Sequence, residues 1–179
     1  MKIVLVRHGE SEGNVKDEIN DDPTRIVNLT ARGREQAAAR AEQLRGIDFT
    51  HAYVSQFPRA QQTLAILLQH HALPPQVDAR LNERLSGMDG QHVDDFNHFV
   101  RADYLRTKPP MGESFIEQME RLRSFLDDAA ARHPDGLVLA VSHENPIVAV
   151  LTLLSDMPEQ TALQKLANCQ AVEVEWPAA

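Results

Sequence analysis

The run Lys2-Ile3-Val4-Leu5-Val6 constrains this chain more than any other stretch. Large apolar and β-branched residues stand side by side and then stop at Arg7-His8-Gly9. A run without polar alternation is buried on both faces, as a strand inside a parallel sheet is. Such a strand delivers whatever follows it to the C-terminal edge of the sheet, where ligands bind. Here that is a guanidinium, an imidazole and a glycine that lets backbone approach closely. The imidazole is a candidate nucleophile facing an anion; the plainer reading is a buried histidine ending a strand.

The rest of the chain repeats the pattern. Polar, aperiodic residues 15–28 predict a loop, after which Thr30 caps a helix over 31–45 that Gly46 closes. Residues 52–55 predict a second strand. Pro58 then opens a helix with Ala60, Leu64, Leu67 and Leu68 on one face. Residues 76–81 form a weaker third strand, and 82–91, with Gly87 and Gly90, a loop. A short helix over 93–105 carries Phe96, Phe99 and Tyr104, read as its packing face. The longest amphipathic pattern is 114–132. Leu137 to His143 is the most hydrophobic strand, and it too ends in a histidine. An apolar helix over 146–154 and a polar one over 159–167 follow. The alternation from Val172 to Trp176 marks a half-exposed edge strand, one that a second copy could pair with in a homodimer. Strands alternating with helices predict an α/β sandwich of three layers, a mainly parallel sheet flanked by helices, with residues 1–179 as one domain.

Composition narrows the partners. A chain of 179 residues is long enough for one well-buried core. Its net charge of -8 argues against a general nucleic-acid or anionic-membrane surface, since both need surplus Lys and Arg. The lone Cys169 has no internal disulfide partner, so a reducing cytoplasm is expected. Residues 3–6 are too few for a signal segment or a membrane span, and no other apolar stretch is long enough.

The strand ends supply a set: Arg7 and His8 from the first, Ser55 and Arg59 just past the second, and His143 from the most apolar one. Brought to one sheet edge, these groups form a pocket for a dianion. The ordered motifs Arg7-His8-Gly9-Glu10-Ser11 with Asn14, Leu29-Thr30 with Gly33, Ser55 with Arg59-Ala60, Leu81 with Glu83, Gly112-Glu113-Ser114, and Ser142-His143 resemble the histidine phosphatase superfamily. That superfamily includes the cofactor-dependent phosphoglycerate mutases. The resemblance runs from residue 3 to about 150. It implies that His8 is the nucleophile, that Arg7, Asn14, Arg59 and His143 hold the phosphate oxygens, and that Glu83 is the proton donor and later the base for water.

The chain departs from the family in two places. Where glycines usually follow the second histidine, it has Glu144-Asn145-Pro146. The Glu144 N–H is still expected to donate to phosphate at a helix start, but its carboxylate repels the anion unless it turns away or meets a cationic or hydroxyl group. Gly13 stands where mutases often have Trp, which weakens the mutase assignment. The reading that follows is a phosphomonoesterase needing no metal or other cofactor, acting on a small soluble phosphate ester through phosphohistidine. Mutase-type transfer and a catalytically silent phosphate-binding module are the alternatives. Ser11, Arg25 and Arg106 are the expected contacts to the rest of the substrate.

Overall fold

The computed structural model describes residues 1–177. In chain order the first half contains β1 (Lys2–Arg7), α1 (Glu12–Val15), α2 (Ala31–Leu44), β2 (His51–Val54), α3 (Pro58–Leu67) and β3 (Pro75–Val77). The second half contains α4 (Val93–Val100), α5 (Phe115–Arg132), β4 (Leu137–Ser142), α6 (Glu144–Leu153), α7 (Pro158–Thr161) and β5 (Ala171–Glu175). The five strands form one sheet in the order β3-β2-β4-β1-β5, parallel except for β5. The mainly parallel three-layer α/β sandwich expected from the sequence is the fold observed.

Strand periodicity sorts the core into two halves. Ile3 and Leu5 of β1, in register with Val138 and Ala140 of β4, face α5 and α6, where Phe115, Leu122, Phe125, Leu126, Ile147 and Val148 complete one cluster. Val4 and Val6, in register with Leu139 and Val141, face α2 and α3 and pack on Ala41, Leu44, Phe57, Leu64 and Leu67. β1 and β4 are therefore sealed on both faces, which is why their sequences lack polar alternation. Both end at the same sheet edge, where Arg7 pairs with Ser142.

Local chemistry moves several boundaries. The third strand stops at Val77 because the Asp78 side chain accepts the Arg80 N–H at 2.9 Å and turns the chain into a 3₁₀ turn over Ala79–Leu81. The helix expected over 93–105 ends at Val100. Beyond it the Asp103 side chain takes the Arg106 N–H at 3.0 Å. The polar helix expected over 159–167 is only the single turn α7, and residues 162–170 instead run back to the site. α1 was not expected at all: Ser11 and Asn14 form a reciprocal capping box inside the polar stretch after β1. Among the described residues, no helix is long and apolar enough to cross a membrane.

One close approach fixes the edge of the site. A side chain at Gly9 would run into the backbone of Gly33, and one at Gly33 into the backbone of Glu10. With Thr30 N donating to Glu10 O at 3.0 Å, this contact sets the start of α2 directly against the loop that follows β1.

Candidate active site

His8 follows β1 and is 2 % exposed. Its Nδ1 lies 2.7 Å from the Gly9 carbonyl oxygen, which only accepts, so the ring proton sits on Nδ1 and Nε2 keeps its lone pair. Nε2 accepts from Arg59 Nε at 3.1 Å. Burial, helped by the charges of Arg59 and Arg7, holds the His8 pKa well below 6.5 against the opposing pull of the Gly9 carbonyl. The imidazole is therefore neutral at pH 7 and can act as a nucleophile.

Arg59 sits in the first turn of α3, behind Pro58, and is 4 % exposed. Besides its bond to His8, it donates through Nη1 to Asn20 Oδ1 and through Nη2 to Asn20 O at 3.1 Å and His143 Nδ1 at 3.2 Å. The guanidinium lies over the Phe57 ring, 4.4 Å from its centroid. Burial lowers its pKa to about 10 against the pull of Glu83, leaving it charged at pH 7.

The structure brings positions 8, 59 and 143 together, but not in the arrangement expected for His143. That ring is fully buried and does not line the pocket. Because a guanidinium only donates, His143 Nδ1 accepts from Arg59 and Nε2–H donates to Ser55 Oγ at 2.8 Å. Both ring nitrogens of His143 are thus engaged, by Arg59 and Ser55, with the ring centroid 5.1 Å from that of His8. The physical reason is that the helix following β4 begins at Glu144, leaving the ring of the capping residue wedged against Phe57.

The pocket, about 170 Å³, is lined by Arg7, His8, Asn14, Arg59, Glu83 and Glu144, among others. Asn14 Oδ1 is taken by Ser11 N at 3.1 Å and Asn168 Nδ2 at 3.2 Å, which leaves its amide Nδ2 as a donor without an acceptor among the described residues. Ser11 also lines the wall, though its hydroxyl caps α1 and bonds Asn14. Glu144 does not confront the pocket as an uncompensated charge. Its Oε2 accepts from Arg7 Nη1 at 2.6 Å, and its Oε1 pairs with Lys165 at 3.1 Å. Arg7 Nη1 also bonds Leu166 O, whereas Arg7 Nε is shut off from solvent with no acceptor among the described residues.

Glu83 lines the same pocket from the segment after β3. Its Oε1 accepts Arg84 N at 2.8 Å. Burial raises its pKa and the nearby Glu144 adds to the rise, while the Arg84 N–H, Arg59 and Asn145 pull it down. The net upward shift suits a carboxyl that must carry a proton. The backbone around it is clamped from α5. Arg121 donates to Arg80 O at 2.6 Å and Glu83 O at 3.1 Å, with its own charge paired to Glu113 at 2.6 Å.

Two expected substrate contacts lie outside the pocket's lining residues. Arg25 pairs with Glu18 and with Asp89 at 3.1 Å, tying the first loop to the 86–91 loop, and does not line the pocket. Arg106 is exposed and pairs with Asp103 at 3.4 Å, away from the pocket. Conversely, Phe96, read as a packing aromatic, lines the pocket wall together with Tyr104. Sequence reasoning also missed Asn20 and Asn168, which sit in stretches without pattern and gave no signal. It missed Asn145 too, although its place just beyond a strand-end histidine was a usable one.

A mainly parallel sheet whose C-terminal edge sets a neutral, buried imidazole among guanidinium groups and a protonatable carboxyl defines an α/β protein shaped for a tetrahedral anion. The model of the histidine phosphatase superfamily, branch 1, matches residues 3–178, and the chain belongs to that family. It is 32% identical over 185 residues to the 2,3-bisphosphoglycerate-dependent phosphoglycerate mutase of Bartonella bacilliformis, covering 93% of this chain and 87% of that protein. It is 30% identical over 169 residues to the adenosylcobalamin/alpha-ribazole phosphatase of Escherichia coli K12, covering 89% and 82%. Among solved structures, the alpha-ribazole phosphatase of Shigella flexneri superposes with a TM-score of 0.83 at 25% identity, covering 98% of this chain and 90% of that one.

Proposed function

We propose that this chain works as one catalytic domain, a phosphomonoesterase that hydrolyses a small phosphorylated molecule through a phosphohistidine at His8. The observation that carries the reading is the His8 tautomer: Nδ1–H is committed to Gly9 O, and the Nε2 lone pair meets only Arg59. Arriving phosphate oxygens take over the Arg59 Nε–H, which releases that lone pair for in-line attack. The Arg7 guanidinium and Asn14, which line the pocket beside His8, are the further donors to those oxygens. His143 assists by holding Arg59.

In the first step a bond forms between His8 Nε2 and phosphorus, the ester P–O bond breaks, and Glu83 gives its proton to the leaving alkoxide. In the second, Glu83 takes a proton from water, the resulting oxygen attacks phosphorus, and the N–P bond breaks, returning the lone pair to His8. Charge on the equatorial oxygens is met by the guanidinium groups. Arg7 and Lys165 neutralise Glu144, so that carboxylate is no argument for a silent module.

A hollow of about 270 Å³ bounded by Val100, Arg101, Tyr104, Asn145, Leu163 and Lys165 adjoins the pocket and is where the alcohol part of the substrate fits best. The buried lone cysteine, its thiol pushed up to about 11 by burial, fits a reducing cytoplasm. A homodimer, if formed along the β5 edge, leaves the site unchanged because one chain supplies all of it; sedimentation velocity tests that state.

The deciding experiment is a screen of phosphate esters in excess chelator, with rapid quench for an acid-labile, base-stable phosphoryl adduct. Hydrolysis with an adduct that His8→Ala abolishes is the expected result. Hydrolysis undiminished in His8→Ala overturns the mechanism. The mutase reading rests on the 32% identical Bartonella relative. It wins if, with 2,3-bisphosphoglycerate present, phosphoryl transfer to phosphoglycerate outruns transfer to water.

A further inference from the structure

The roof of the pocket reaches the proton donor through two residues that the mechanism above leaves unused. Tyr104, in the irregular stretch after α4, places its hydroxyl 2.8 Å from Asn145 Oδ1. Its ring lies 5.0 Å from the Arg84 guanidinium and 5.1 Å from the Phe115 ring. Asn145, in the first turn of α6, lines the same pocket as Glu83 and Tyr104, and its amide pulls the Glu83 pKa down. Arg84, 2 % exposed, gives its Nε to Glu113 O and its Nη2 to Thr107 O, both at 3.3 Å.

The direction of the Tyr104–Asn145 bond follows from its acceptor. An amide oxygen only accepts, so the Tyr104 hydroxyl sends its proton to Asn145 Oδ1. That fixes the amide, leaving Nδ2 as the group turned to Glu83. We propose that Tyr104 and Asn145 are positioning residues for the proton donor: Tyr104 locks the Asn145 amide, and Asn145 Nδ2 holds the Glu83 carboxyl in the pocket. The inference rests on the reading of Glu83 as the acid of a phosphohistidine enzyme. It also gives segment 101–113 a role in chemistry, since any shift of that roof moves Tyr104 and so the acid.

A bond from Nδ2 favours the ionised carboxyl. Losing it therefore raises the Glu83 pKa further, because Arg59 from α3, Glu144 from α6 and the Arg84 N–H all stay in place. A merely structural role predicts the reverse: loosening the roof lets water in and brings the carboxyl back toward its ordinary value.

The test is the pH dependence of kcat/KM for an alkyl phosphate in Tyr104→Phe and Asn145→Leu. The basic limb is expected to move up by about half a pH unit or more in both. With p-nitrophenyl phosphate, whose leaving group needs no proton, that movement is expected to be absent. A limb that stays or moves down, or that moves equally with both substrates, overturns the proposal. Vanadate binding by each variant reports whether the phosphate pocket is still formed. Titration of the Glu83 carboxyl by ¹³C NMR, assigned with Glu83→Gln, reads the same shift without turnover. If the wild-type protein hydrolyses no ester, the phosphatase reading fails while this titration still decides the Tyr104–Asn145 link.

Discussion

At the scale of single residues, the site depends on which nitrogen of His8 carries the proton. A neutral ring with Nε2 available attacks phosphorus; a protonated one has no lone pair to offer. Since burial and two guanidinium groups hold the pKa well below 6.5, the acid limb of kcat/KM belonging to this group is expected below that value. His8→Ala is expected to lower kcat by about 10³-fold or more, measured by phosphate release. Glu83→Gln keeps the volume but cannot give a proton. Its loss on alkyl phosphates is expected to be about 10²–10⁴-fold, with a much smaller effect on aryl phosphates. Arg59→Lys retains the charge yet cannot serve His8, Asn20 and His143 at once, because an ammonium lacks the planar fork. A drop of about 10²-fold in kcat/KM is expected, with weaker vanadate binding in parallel.

At the scale of elements, the site is a meeting of ends: the C-terminal ends of β1 and β4 and the N-terminal turns of α3 and α6. Their mutual placement depends on close backbone contacts that leave no room for side chains. Gly33→Ala would drive a methyl into the Glu10 backbone and push α2 off the loop after β1, at a cost of about 1–3 kcal/mol in urea unfolding. Activity should fall with it, since the same loop runs on to Asn14. The start of α5 depends on the Ser114–Glu117 capping box, with bonds of 3.1 and 2.8 Å. Ser114→Ala is expected to cost about 1 kcal/mol with kcat nearly unchanged. That contrast would separate support of the scaffold from support of the chemistry.

For the molecule as a whole, two buried neutral histidines make stability depend on pH. His8 and His143 both have pKa values held well below 6.5 by burial and by Arg59. Below about pH 6.5 the unfolded chain binds protons that the folded chain does not, so stability present at neutral pH is lost as pH falls toward the folded values. Glu83 runs the other way: its raised pKa makes the folded state bind the extra proton, so its contribution weakens as pH rises through the window above 4.5. With two histidines against one carboxyl, the melting temperature is expected to fall between pH 7 and pH 5. His143→Gln should flatten that slope in scanning calorimetry; an unchanged slope would show that the ring titrates normally.

The sequence by itself determined the sheet and the cast of its edge. β1 and β4 are legible because sealing both faces of a strand demands uninterrupted apolar side chains, and His8 and Arg59 stand just past predicted strands, whereas Glu83 is marked by the family resemblance alone. Helix starts at Thr30, Pro58 and Ser114 are equally local, since caps and proline act within one turn. Only the tertiary structure decided the rest. It turned His143 behind Arg59, paired Glu144 with Arg7 and Lys165, drew Asn20 and Asn168 into the site, and sent Arg25 and Arg106 to carboxylates elsewhere. These choices depend on which polar groups, far apart along the chain, find one another once water is excluded. A charge or an amide announces its capacity to bond in the sequence, but its partner is fixed only by packing.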